Sequence, residues 1–489
     1  MATLKQSVAA EPPQAVNWRL GARAAIPLLV CAAIAFTPTP EGLSENAWLY
    51  FALFAGVMAG IITEPIPQAA VGLLGIVAAA VSGVVHDSPE ESAQWALGGF
   101  SNGTVWLIFA AFVFALGYSK SGLGRRIALL LIRLLGKRTL GLGYAVALAD
   151  LALAPVMPSN TARSGGTVYP VIRNIPEIYG SHPHDASARK IGSYLLYTAL
   201  AATCVTSSMF MTALAANVLA VALVSATIDV TITWTVWLKA FAPAGVVLFA
   251  LTPALLYKIY PPEIKESPDA PQWAAEELAK MGPVTRNEKV LLVLVAAALA
   301  MWIAGGRYAD ATITAILAGV LMVILGVVRW EDILANKEAW NILIWLATLV
   351  TLAGGLAETR FVNWVGEALA PSFAGRSATV SILLLVGAFF FLHYLFAGMT
   401  AHVSALLPVF LGVAVTVPGV TPLGWGLLLC QSLGMMGILT AYATAPAAIF
   451  YGSGYIPGRD FWKLGFILGV IFFAVYIAIG VPWLAYLGI

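Results

Sequence analysis

The sequence predicts an all-α polytopic membrane protein, with about eleven transmembrane helices and two re-entrant hairpins in an inverted repeat. Three observations carry that reading. Of the 489 residues, 60% are apolar and only 10% charged, too few ionisable side chains to coat a water-soluble chain of this size. The mean hydropathy is +0.88. Apolar runs of bilayer-spanning length, about 20 residues, recur along the chain between short polar clusters. A soluble enzyme is excluded, and 26 basic against 24 acidic side chains leave no basic excess that would point to nucleic acid.

Taken in order, the polar segment 1–21 is read as cytoplasmic. The run 22–36 is read as the first retained span, because no small-residue cleavage pattern follows it closely. Further spans are expected at 46–62, 67–85, 103–118, 190–224 and 232–257, completing a first half over 22–257. A cytoplasmic linker covers 258–289. The second half, 290–489, carries spans at about 288–304, 310–328, 339–357, 423–450 and 461–487. Cys31, Cys204 and Cys430 each sit in an apolar stretch without C-x-x-C spacing, so they read as packing residues.

Cytoplasmic loops retain Lys and Arg whereas short translocated loops avoid them. With the N-terminus inside, 21 of the 26 basic residues fall on the cytoplasmic side, including Lys5, the cluster from Lys120 to Arg138, and Lys258 to Lys289; only Arg307, Arg360 and Arg376 fall outside, with Lys239 near the outer end of a span and Arg163 in the first hairpin. An odd number of spans then puts the C-terminus outside.

One fixed spacing links the halves. Trp106-Leu107 recurs as Trp345-Leu346 and Thr161-Ala162 as Thr400-Ala401, both about 239 residues on. An odd number of crossings between matched points makes the copies antiparallel, which is the inverted repeat of many transporters.

The stretches 139–170 and 377–416 are each interrupted midway by polar residues, prolines or glycines, and are read as the hairpins. Non-helical backbone at membrane depth is tolerated only where it is buried in protein or lines a wet cavity, so a hairpin tip is a candidate site. The first tip, Pro158-Ser159-Asn160-Thr161-Ala162-Arg163, offers three side-chain donors and the N-terminus of an outgoing half-helix, which suits a carboxylate. Arg163 is expensive at membrane depth and cannot deprotonate, so it marks either a substrate path or a buried ion pair with Asp150, and both readings can hold together. The second tip repeats the pattern with Thr400 and, two residues on, His402. His393 has no counterpart in the first tip and reads as a core histidine. Ser207, within Thr206-Ser207-Ser208, and Thr444, beside Pro446, are further cavity candidates, although hydroxyls inside spans most often bond their own helix.

Other signals carry less. Gly99-Phe100-Ser101-Asn102-Gly103 fits G-x-S-x-G but precedes a transmembrane helix, so helix capping is expected. Gly56-x-x-x-Gly60 and Gly465-x-x-x-Gly469 are small-residue packing faces. No metal-ligand cluster, Walker loop or cofactor motif is present in the sequence.

Pro158-Ser159-Asn160-Thr161-Ala162-Arg163, Thr206-Ser207-Ser208-Met209-Phe210 with Asn217, His393-Tyr394-x-Phe396-Ala397-x-x-Thr400-Ala401-His402, and Tyr451-Gly452-Ser453-Gly454-Tyr455 together resemble the divalent anion/sodium symporter family. The likeness is to its exchanger-like branch of bacterial citrate, tartrate and succinate antiporters and plastid dicarboxylate translocators. The resemblance implies a homodimer of scaffold and transport domains, elevator-type alternating access, and tips that hold substrate carboxylates. It implies substrate contacts at Ser159, Asn160 and Thr161 in the first tip and at Met399 and Thr400 in the second, with Arg163 and His402 standing in for sodium. Gly398-Met399 departs from the Ser-Asn expected there, so that tip relies more on backbone N–H groups.

The function expected is sodium-independent exchange of di- or tricarboxylates, such as succinate, malate, 2-oxoglutarate, tartrate or citrate. A dianion would neutralise the basic tips, while the empty unit would keep one or two positive charges and scarcely cross. A sodium-coupled symporter and a passive anion channel are the alternatives. Partners are carboxylate anions, lipid and a second copy; no cofactor or metal is expected, and a bacterial inner membrane is the expected location.

Overall fold

The computed structural model describes residues 18–304, 309–373 and 375–489, and among these the chain is helical with no β-sheet. Lys5, Arg307 and most of the 1–21 segment lie outside the described residues. Seven described helices are long and apolar enough to cross a membrane: Glu45–Thr63, Pro89–Ser121, Thr139–Val156, Trp234–Ile259, Lys337–Glu358, Ala378–Leu395 and Gly458–Tyr486. Shorter apolar helices, among them Gln68–Ser82, Ala215–Ile228 and Ala311–Ile324, pack beside them. Large apolar side chains stay exposed on these helices, as at Val81, Val293 and Ile324, which in this setting is the surface that lipid covers.

Helix starts are fixed by capping side chains that satisfy the free N–H groups of a first turn. Asn102 accepts from Thr104 N at 2.9 Å and Val105 N at 3.4 Å, so the G-x-S-x-G stretch is a cap. Thr285 and Glu288 form a capping box. The polar linker is docked rather than free. Its helix Asp269–Met281 packs on Leu123–Leu135. Thr139 N donates to Lys265 O at 3.0 Å and Ser267 N to Lys137 O at 2.9 Å. Arg126 Nε reaches Glu288 Oε1 at 2.6 Å in a buried pair.

The matched spans lie side by side in opposite directions. Trp95 packs on Gly355, Gly99 N donates to Thr351 Oγ1 at 3.0 Å, and the rings of Phe109 and Trp340 are 4.6 Å apart. Residue numbers rise along one helix as they fall along the other, the relation an inverted repeat requires.

Two runs expected as single spans are broken. The run 190–224 is Gly192–Met209, an elbow in which extended Phe210 and Leu214 flank a 3-10 turn at Met211–Ala213, and Ala215–Ile228. The run 423–450 is Pro422–Gln431, Leu433–Met436, an irregular stretch over 437–444, and Ala445–Gly452. Side chains take up the freed backbone groups: Asn217 Nδ2 donates to Ser207 O at 2.6 Å and to Phe210 O at 3.2 Å. Hydropathy reads both runs as continuous because the few threonines at the elbows, Thr212, Thr440 and Thr444, are outnumbered by apolar residues.

Candidate functional site

Both stretches read as hairpins are helix, 3-10 turn, break, helix. The first runs Thr139–Leu153, Ala154–Val156, an extended Met157, and a wide helical segment Thr161–Val168. The second runs Ala378–Phe391, Leu392–Leu395, an extended Phe396, and Met399–Ala414. Pro155 and Pro158 lack the N–H groups a continuing helix would use. Gly398, at φ 93°, takes a backbone conformation that a side chain disfavours and so turns the chain into the second outgoing helix. The residues of the two breaks keep the spacing of about 239 that links the halves.

The first break closes around Arg163, which is fully buried. Its Nε donates to Asp150 Oδ2 at 3.0 Å. Nη1 donates to Met157 O at 2.9 Å and to Ala213 O at 2.6 Å. Nη2 donates to Ser207 Oγ at 2.8 Å and to Thr203 Oγ1 at 3.3 Å. Five oxygens from the hairpin, the Gly192–Met209 helix and the following elbow thus enclose one guanidinium. Thr206 Oγ1 donates to the same Asp150 oxygen, and Thr212 Oγ1 to Pro155 O. Of the two sequence readings of Arg163, the geometry shows the ion pair: Asp150 balances its charge, so the first tip does not keep the net positive charge expected of it when empty.

The other residues of the first tip sit on this base. Ser159 Oγ accepts from Ala162 N at 3.2 Å, and Asn160 Nδ2 donates to Thr444 Oγ1 at 2.9 Å. Ser159 and Asn160 are each 8% exposed and Thr444 6%, so the site is closed in this conformation. Thr161 is half-buried. The sequence candidates Ser159, Asn160, Thr161, Arg163, Ser207 and Thr444 therefore form one connected cluster.

The second break is built differently. His402 is fully buried, and neither ring nitrogen has a hydrogen-bond partner among the described residues. Its ring lies 4.5 Å from Phe389, 5.0 Å from His393 and 5.2 Å from Phe396, centroid to centroid. His393 Nε2 donates to Ala443 O at 3.0 Å, so the second break touches the residue next to Thr444, and through Thr444 the first. Met399 is buried and Thr400 half-buried at the start of the outgoing helix. No hydrogen bond joins Thr400 or Met399 to the first tip. The Tyr451–Tyr455 stretch lies apart, with Gly454 O accepting from His184 N at 2.9 Å and Tyr455 O from Ser193 Oγ at 2.7 Å.

Sequence reasoning passed over Thr203 and Asn217 as parts of the site and read His393 as bland. The signal for Thr203 was its helical spacing to Thr206 and Ser207, which puts all three on neighbouring positions of one face.

The profile of a family described as the sodium:sulfate symporter transmembrane region matches residues 18–489. The chain is 45% identical over 470 residues to proteins named L-tartrate/succinate antiporter from Shigella sonnei and from Escherichia coli strain K12, covering 94% of this chain and 96% of each relative. In fold it is similar to the YdaH transporter of Alcanivorax borkumensis, with a TM-score of 0.60 at 15% identity over 82% of this chain and 91% of that one. It is also similar to MtrF of Neisseria gonorrhoeae, with a TM-score of 0.55 at 12% identity over 95% and 94%.

Proposed function

We propose, for a chain that belongs to the sodium:sulfate symporter family, also called the divalent anion/sodium symporter family, a secondary active transporter that exchanges dicarboxylates without sodium. The observation that carries this reading is the enclosure of Arg163 by five oxygens. Carbonyls, hydroxyls and a carboxylate drawn from three segments are what a small cation would be needed to hold together. A guanidinium is always charged and cannot leave, so the first tip stays assembled with no mobile ion. The relatives that the chain matches over most of its length are named as antiporters of L-tartrate and succinate, which supports a C4 dicarboxylate as the anion class.

In this reading one carboxylate rests on Ser159, Asn160 and Thr161, and the other on Thr400 and the backbone N–H groups that open the Met399–Ala414 helix. Ser207 and Thr444 hold the tips in register. Arg163 and His402 act from behind, since both are fully buried. His402 faces no carboxylate among its ring contacts, so any positive charge it carries is answered by the dianion itself. Unloaded, the tips present helix N-termini and polar groups with no anion, and carrying unpaired polar groups past an apolar scaffold costs several kcal/mol. Each 1.4 kcal/mol slows a step about tenfold, so return is fast only with a second anion aboard.

The wider organisation belongs to the same proposal: a cytoplasmic N-terminus and periplasmic C-terminus in a bacterial inner membrane, a homodimer, and a transport unit moving against a scaffold. No chemical conversion of the substrate is assigned. Purified protein in vesicles preloaded with succinate or left empty tests the central step. Labelled succinate should enter only the loaded vesicles, at the same rate in sodium and in choline. Net accumulation driven by a sodium gradient would instead make it a symporter, and currents without internal substrate would make it a channel.

A further inference from the structure

Among the described residues Asp150 is the one carboxylate that contacts the first tip, and it is 1% exposed, out of reach of any substrate. Its Oδ2 takes both the Arg163 Nε donor and the Thr206 hydroxyl, while Oδ1 has no hydrogen-bond partner among the described residues. Its polar contacts are therefore Arg163 and Thr206. Building on the exchanger reading, we propose that Asp150 is a positioning and charge-setting residue. It orients the Arg163 guanidinium beneath the tip and cancels its charge, so that the first tip recognises a carboxylate by hydrogen bonds alone and selects for anion charge less strongly than a bare arginine would.

The sign of each variant's effect separates the two roles. A buried pair can often be replaced whole with little penalty, whereas removing one member strands the other charge. Asp150→Asn strands a cation under an anion site, and Arg163→Gln strands an anion there. If the pair only held the loop in shape, both substitutions would damage binding in the same direction, and removing both would be at least as harmful. If charge cancellation is its function, the single substitutions move succinate affinity in opposite directions and the double substitution brings it back.

The experiment measures succinate counterflow in proteoliposomes for the wild type, Asp150→Asn, Arg163→Gln and the double variant, each checked for a monodisperse folded peak. In Asp150→Asn, KM for succinate should fall at least threefold, kcat should fall about tenfold, and citrate should compete better relative to succinate. In Arg163→Gln, KM should rise at least tenfold. The double variant should return to within about fivefold of the wild-type KM. KM rising in both single variants, or a double variant no better than Arg163→Gln, would overturn the proposal. Should Arg163→Gln fail to fold, the KM of Asp150→Asn decides alone: a fall supports charge cancellation and a rise or no change refutes it. Wild-type protein that shows no counterflow would count against the exchanger reading and not against charge cancellation, which succinate binding to the four proteins by titration calorimetry still tests: affinities that move in opposite directions in the single variants and return in the double variant support it, and losses in both single variants overturn it.

Discussion

The two tips occupy matched positions in the halves, yet their basic residues are housed in opposite ways. Arg163 is wrapped in five oxygens, one of them anionic. His402 has no hydrogen bond among the described residues and is ringed by Phe389, Phe396 and His393. The difference follows from chemistry. Guanidinium has no accessible neutral form and five N–H groups to satisfy, so a dry position demands acceptors and a counter-charge. Imidazole has a neutral form and fits among aromatic rings without either. Divergence at one repeat position thus leaves a fixed, compensated cation at the first tip and a buried imidazole without hydrogen-bond partners among the described residues at the second.

The largest expected effect that sharpens this contrast is on stability. Arg163→Ala strands Asp150 and leaves two carbonyls without their donor, so it should lower unfolding free energy by about 3 to 5 kcal/mol. His402→Gln should cost about 1 kcal/mol. Thermal unfolding in detergent reads both, and equal losses would erase the contrast. Next comes the contact that joins the first tip to Thr444 in the second half. Asn160→Ala and Thr444→Val each remove the 2.9 Å bond between these side chains, and each should slow counterflow about tenfold. The double variant should be little worse than either, a coupling of about 1 kcal/mol; independent, multiplying losses would mean that the bond does not matter for exchange.

Smaller still is the effect at the second tip. His402 is fully buried among aromatic rings with no counter-charge beside it, where a neutral imidazole strands no charge. KM for succinate should therefore stay within about twofold from pH 6 to 8 in the wild type, and a slope that His402→Gln abolishes would contradict that. Least of all should be the change at the docked linker. Lys280 and Arg125 hold the Glu277 carboxyl below the usual carboxylate range, a carboxyl that pairs at 2.6 and 2.7 Å. Its favourable contribution is present above the ordinary glutamate pKa and is lost as pH falls through the lowered one. Glu277→Gln should change stability by less than about 1 kcal/mol, as surface pairs generally do, and leave exchange unchanged.

Much of this was legible in the sequence because polar residues inside apolar runs are conspicuous. Ser159 to Arg163 and Thr444 stood out by composition, and the spacing from Thr161 to Thr400 tied the two breaks together. At the elbows near Phe210 and 437–444 the polar patches around Ser207 and Thr444 stood out but the change of chain direction did not, since hydropathy registers side-chain polarity and not backbone direction, and Phe210, Met211 and Leu214 are as apolar as a helix facing lipid. The role of Asp150 was visible only as an alternative, because thirteen residues of separation cannot say which of its neighbours a carboxylate faces. The aromatic surround of His402 was hidden for a related reason: Phe389 lies on the incoming helix, Phe396 in the break and His402 on the outgoing helix, and the rings meet only when the stretch folds.

The account rests on a tip that is assembled by a built-in cation. Titration calorimetry of succinate into the purified protein, once in sodium chloride and once in choline chloride at equal ionic strength, tests that directly. The affinities should agree within about twofold. Binding at least tenfold tighter in sodium would contradict it.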